Sequence, residues 1–228
     1  MHIVSLSFDD GFRKSCLRIA EIHEQFGLRA CLNALAAPEE LVAGEHEWGT
    51  DRGNFALWNE LQARGHEVMP HGYRHAKKDE LPFPEARDLI QRCLAIFEEK
   101  LDGFVAKRAV FNFPHNASTP ELETWLPTVV RAFRTRGGGL NPLPHPGQVR
   151  LTTTGAGPAN CEWHLEHEIE RLLAKPEGWL IYNTHGLDEE GWGPIRAGYL
   201  EALLARLLSR GVRVLPAAAA LAEGWGEG

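Results

Sequence analysis

Short apolar strands alternate with amphipathic helices along almost the whole chain, and this alternation most constrains the fold. Residues 3–8 read as a strand, and Arg13–Gln25 as a helix with Cys16, Leu17, Ile19, Ala20 and Ile22 at helical spacing and Gly27 as its stop. A strand over 28–35, a helix over 54–64 closed by Gly65, and a strand over 66–70 follow. Residues 85–101 form an amphipathic helix with Leu89, Ile90, Cys93, Leu94 and Phe97 on one face. Strands are expected at 109–113, near 129–133, at 180–183 and at 212–215, with helices over 167–174 and 198–209. Ser118-Thr119-Pro120-Glu121 carries a helix-start signature, and the glycine- and proline-rich stretch 137–148 reads as loop. Alternation without a break in composition predicts one α/β domain over residues 1–228 with a largely parallel sheet.

The polar residues with chemical potential recur just after predicted strands: Asp9 and Asp10, His71, Pro114, Arg134 and His185. In a (β/α) barrel that is where the active-site rim lies, and contributions from so many strands favour a closed or nearly closed barrel over an open sheet. A length of 228 residues suits such a barrel. A formal charge of −7 gives no basic footprint for nucleic acid. No apolar run approaches the ~18 residues of a membrane span, and the start at Met1-His2-Ile3-Val4 shows no signal peptide, so a cytoplasmic protein is expected. Cys16, Cys31, Cys93 and Cys161 show no C-x-x-C spacing and read mostly as small buried hydrophobes.

Ser7-Phe8-Asp9-Asp10-Gly11 places two adjacent carboxylates at a strand end, a poor structural choice unless a cation waits nearby. Their side chains diverge, so one carboxylate is free to ligate a metal while the other faces a water; a helix N-cap is the structural alternative. His71 and His75 stand four apart and share one face if Gly72–Arg74 turns helically. Two histidines and an aspartate form an open, catalytic zinc-type donor set. His185 is the right type of residue to protonate a departing amine. The pair His164 and His167, flanked by Glu162, Glu166, Glu168 and Glu170, reads instead as a solvated helix face.

These segments, with Phe111-Asn112-Phe113-Pro114-His115-Asn116 and Thr184-His185, resemble in order and spacing the polysaccharide deacetylase (NodB-homology, carbohydrate esterase) family. The resemblance runs from about Ile3 to Leu215. It implies a distorted, partly incomplete (β/α) barrel that removes acetyl groups from N-acetylated sugars with a divalent metal. It further implies Asp9 as catalytic base, Asp10, His71 and His75 as metal ligands, and His185 as general acid. Zinc is the first expectation for the ion, with Co, Ni, Mn or Fe compatible with the same donors.

One motif departs from the family. Asn112 stands where the family has an arginine beside the catalytic aspartate, and His115 and Asn116 replace a tyrosine and a glycine. An asparagine orients a carboxylate without charge, so Asp9 is expected to be the more basic of the pair. Arg134 is a candidate to supply the missing guanidinium, with a surface position as the alternative. Tyr73, Asn112, Phe113, Pro114, His115, Arg134 and Trp192 complete the candidates for substrate contact. Two other functions stay open: hydrolysis of a non-sugar amide or cyclic ureide on the same scaffold, and a non-catalytic carbohydrate-binding descendant.

Overall fold

A computed structural model describes residues 1–42 and 51–224. Its strands are β1 (His2–Phe8), β2 (Cys31–Ala34), β3 (Glu67–Pro70), β4 (Val110–Asn112), β5 (Ala132–Arg136), β6 (Leu140–Asn141), β7 (Arg150–Thr153), β8 (Gly178–Thr184) and β9 (Arg213–Val214). The helices are α1 (Arg13–Gln25), α2 (Phe55–Ala63), α3 (Phe83–Lys100), α4 (Pro120–Trp125), α5 (Cys161–Leu173), α6 (Ala197–Ser209) and α7 (Ala217–Gly224).

The strands form two sheets, β3-β2-β1-β8-β6 with β9 also on β1, and β4-β5-β7. All pairs are parallel except β6 with β8. A single parallel bridge, Thr154 to Tyr182, links β7 to β8, and among the described residues no ladder joins β3 to β4. The result is the expected distorted (β/α) barrel, open along one seam.

Period-two alternation sorts the β1 side chains. Val4, Leu6 and Phe8 pack outward with the helices, while Ile3 joins an inner cluster with Val110, Ala132, Leu151, Trp179 and Ile181. Ser5, Ser7 and then Asp9 continue the inner column toward the mouth, all buried. The barrel interior is thus apolar at its floor and increasingly polar toward the strand ends. At the floor, α7 contributes Ala217, Ala220 and Leu221 to the inner cluster, and Glu67 of β3 accepts from the N–H groups of Ala218 (2.9 Å) and Ala219 (3.1 Å) at the helix start.

Several boundaries differ from expectation. The β5 strand begins at Ala132, because Leu126–Thr128 forms a tight turn whose Leu126 carbonyl accepts from Val129 and Val130. Arg134 therefore lies within the strand, not after it. The stretch 137–148 contains β6, and β7 and α7 were not anticipated. Helix α5 starts at Cys161, and its Glu168 is buried against Arg171 (2.7 Å) rather than solvated. His164 approaches the Tyr182 hydroxyl at 3.2 Å, and His167 stacks on Trp163. Thr119 caps α4 as its signature requires, accepting from Leu122 N at 3.3 Å. All four cysteines are free and buried.

Candidate metal and catalytic site

The chain leaves β1 through two consecutive left-handed residues, Asp10 (φ 73°) and Gly11 (φ 70°). That conformation costs a non-glycine residue about 1–3 kcal/mol, so it persists only where the surroundings enforce it. At Gly11 a Cβ would lie 2.9 Å from the Trp58 ring, so the second position also requires glycine for space. This turn splits the carboxylates: Asp9 meets Arg134, Asn33 and Asn183, and Asp10 turns toward His71 and His75 beyond the end of β3.

His71 follows β3 directly. Its Nδ1 donates to the Asn112 carbonyl at 3.0 Å, which leaves the Nε2 lone pair facing Asp10. The segment to His75 is not the helical turn expected. Gly72 adopts φ 109°, where a Cβ would press on Pro114 and the Arg74 carbonyl at 3.1 Å. That bend folds His75 back so that the two imidazole centroids are 5.4 Å apart. Asp10 Oδ1 lies 3.4 Å from His71 Nε2 and 3.2 Å from His75 Nε2. One donor atom from each of the three residues falls within 4.8 Å of the others.

The chemistry of this set fits a cation. Burial pushes His75 down to about 3, so it is a neutral imidazole at ordinary pH. Burial opposes ionisation of Asp10 too, but positive charge on His75 and His71, when those rings are protonated, holds its carboxyl well below the ordinary range. Asp10 Oδ1 and His71 Nε2 are buried and lack a hydrogen-bond partner among the described residues. Buried lone pairs converging in this way are costly unless a positive centre sits between them.

Asp9 has a different shell. Arg134, fully buried, grips it with both arms of its guanidinium: Nη1 donates to Oδ1 at 2.8 Å and Nη2 to Oδ2 at 2.6 Å. Asn33 donates to Oδ1 at 2.8 Å, and Asn183 to Oδ2 at 3.3 Å. Arg134 Nη1 and Asn33 also donate to Ser7 Oγ, at 2.6 and 2.7 Å. Burial alone would push Asp9 up, but Arg134 and His71 hold it below the ordinary carboxylate value. The premise of an Asp9 without a charged neighbour is therefore corrected: the guanidinium arrives from β5 and holds the carboxyl below the ordinary value, while that of Asp10 is held well below it. Asn112 does not touch Asp9. It donates to Asn33 Oδ1 at 2.8 Å and so orients the amide that does.

The cavity over these groups, about 320 Å³, is lined by Asp9, Asp10, His71, His75, His115, Asn116, Gly155, Asn183, His185 and Trp192. This volume is at the small end for ligand pockets. His115 stands 4.3 Å from the His75 ring, and Trp192 meets His185 edge-on at 5.7 Å. Three candidates lie elsewhere. The Tyr73 ring packs under the Arg92 guanidinium (3.9 Å), away from the cavity. Phe113 is buried in the outer core and Pro114 beneath the Gly72 bend. Asn112 and Arg134 lie behind the lining. Asn33, Ser7 and Asn183, all buried, were missed by sequence reading; Ser5 and Ser7 alternate with apolar residues, which marks an amphipathic strand but not a polar interior.

No known family profile matches the chain, and no curated protein matches it. Solved structures do. The Bc1960 peptidoglycan N-acetylglucosamine deacetylase superposes with a TM-score of 0.64 at 14% identity, over 96% of this chain and 92% of that one. A family 4 acetyl xylan esterase from Clostridium thermocellum, solved with a cobalt ion, gives 0.61 at 16% over 94% and 87%. A mutant of BA3943 of Bacillus anthracis, a CE4 family pseudoenzyme with restored activity, gives 0.62 at 15% over 98% and 68%. The fold is that of the CE4 deacetylases. At such identities the likeness speaks for the CE4 architecture, and the reaction must be argued from the residues.

Proposed function

We propose that this chain is a metal-dependent deacetylase that hydrolyses the N-acetyl amide of a sugar or small glycoconjugate. The observation that carries the reading is the convergence of Asp10 Oδ1, His71 Nε2 and His75 Nε2, two of them orphaned and buried, beside a separately anchored carboxylate. Asp10, His71 and His75 would hold the ion. When bound, a divalent ion polarises the amide carbonyl and acidifies water.

The protein's own groups supply the rest. Asp9 takes a proton from the attacking water, and Oδ2 is the receiving atom, because its bond from Asn183 is the longest of the four and comes from the cavity side. The bidentate Arg134 fixes the carboxylate plane and keeps it ionised. His185, across the cavity, gives a proton to the departing amine. Trp192, 38% exposed at the mouth, offers a ring face for a sugar. The CE4 fold, shared with enzymes described as deacetylases and esterases, supports a carbohydrate substrate.

The test is metal analysis of the purified protein followed by acetate release from a panel of N-acetyl sugars. Asp10→Ala or His71→Ala should lose metal and activity together. Asp9→Asn should keep the metal and lose turnover by roughly 100-fold or more. Full activity in any of these variants sinks the assignment, and metal retention with hydrolysis of non-sugar amides alone would redirect it.

A further inference from the structure

Each carboxylate of the doublet faces its own buried guanidinium, and the second one has no counterpart in the mechanism above. Residues 51–53 run antiparallel to the turn after β1. Phe12 bridges Arg52, Gly53 N donates to Gly11 O at 2.8 Å, and Arg13 N donates to the Asp51 carbonyl at 3.0 Å. This zipper delivers Arg52, with its side chain 3% exposed, onto the Phe12 ring at 4.8 Å. Its Nη1 donates to the backbone carbonyl of left-handed Asp10 at 3.1 Å and stands 3.9 Å from Asp10 Oδ2.

We propose that Arg52 is a positioning residue that pins the Asp10 turn and sets how tightly the site grips its cation. The inference rests on the reading that Asp10, His71 and His75 hold a divalent ion. With Oδ2 turned toward Arg52 and Oδ1 toward the imidazoles, Asp10 offers the ion one oxygen rather than two. A fixed positive charge behind that carboxylate opposes the ion's own charge, so the site binds less tightly than its donors alone would allow. A bound ion would then be less fully neutralised by Asp10, leaving more of its charge to polarise a substrate carbonyl. Arg52 thereby differs from Arg134, whose partner is the proton acceptor and not a ligand.

A purely structural ion pair and a charge opposing the metal predict opposite signs. If Arg52 only held the fold, its loss would weaken metal binding. If its charge opposes the ion, Arg52→Gln should bind Co²⁺ more tightly, roughly tenfold, the order of effect a unit charge has on a divalent ion a few ångströms away under water-like screening. The experiment is a chelator-competed Co²⁺ titration of the wild type, Arg52→Gln and Arg52→Lys at one pH, with thermal unfolding of each apoprotein alongside. Arg52→Lys keeps the charge and should stay within about threefold of wild type, whether or not the glutamine variant folds. Unchanged or weaker binding in folded Arg52→Gln overturns the proposal, as does tighter binding beyond threefold in Arg52→Lys. A wild type that binds no Co²⁺ sinks the cation reading itself, a result distinct from either.

Discussion

The barrel holds a carboxylate at each end, buried at the mouth and half-buried at the floor, and treats them oppositely. At the mouth, Asp9 receives a two-pronged guanidinium and its carboxyl is held below the ordinary value. At the floor, Glu67 has the backbone N–H groups at the start of α7 and the Cys31 thiol, and burial pushes its carboxyl above the ordinary value. Neutral dipoles satisfy an acid's oxygens; a full opposite charge is needed to keep the acid ionised once water is gone. The proposed reaction calls for an ionised acceptor at the mouth, whereas the floor needs only a plug.

The sharpest way to break this contrast is to make the mouth resemble the floor. Arg134→Met should lower kcat by roughly 100-fold or more with little change in KM, because an unanchored Asp9 loses both orientation and charge state. Removing the positive neighbour raises the Asp9 carboxyl, so the acid limb of the pH–rate profile should move to higher pH. The unpaired buried charge should also cost about 3–5 kcal/mol of stability. Arg134→Lys, with the charge but not the fork, should fall between; an unshifted acid limb in both would separate Arg134 from the chemistry.

His23 asks what burial does with no charged partner at hand. It lies in α1, with Nδ1 donating to the Ile19 carbonyl at 2.8 Å, and burial pushes it down to about 4. The unfolded chain takes up the proton first, so stability is complete above the unfolded value of 6.5 and is lost as pH falls from there toward 4. The loss should total about 3 kcal/mol. Denaturant titrations of wild type and His23→Gln across that window should show a steeper slope in the wild type, the remainder in both coming from His75 and His66, whose values are lowered as well.

The smallest effect is expected at the floor. The folded Glu67 carboxyl is raised, so its contribution is complete below the unfolded value of 4.5 and is lost as pH rises through the folded value. Glu67→Gln keeps an acceptor for α7 and removes the ionisation. It should gain roughly 1 kcal/mol or less at neutral pH and leave turnover unchanged. A loss of stability at neutral pH would mean that the charge, working with the α7 dipole, is what holds the plug.

The legible part of this molecule consists of residues whose types are rare at strand ends. Asp9, Asp10, His71, His75 and His185 stood out because apolar strands seldom run into carboxylates and imidazoles, and Arg134 because the family's usual guanidinium was missing. The illegible part is the support. Ser5 and Ser7 alternate with Val4, Leu6 and Phe8, a pattern that ordinarily turns its polar side to water; here closure of the barrel turns it inward. Asn33 and Asn183 become partners of Asp9 only once β2 and β8 flank β1. Arg52 sits among Asp51, Gly53 and Asn54, where no periodicity exists to read. The register of β5 was off because a proline-containing turn, not an extended strand, follows Leu126.

The open seam gives His71 a second occupation beside the one proposed for it. No ladder joins β3 to β4 among the described residues; His71 Nδ1 on the Asn112 carbonyl and the Asn112 side-chain amide on the Pro70 carbonyl (3.5 Å) span them, with Asn112 tied in turn to Asn33. The same ring would fasten the metal on one side and the barrel on the other, like a rivet through two plates. Variation at the rim, around His115 or Trp192, acts first on what the cavity meets. Variation at His71 also removes the bond to the Asn112 carbonyl, so its effect reaches the wall of the barrel as well as the cavity.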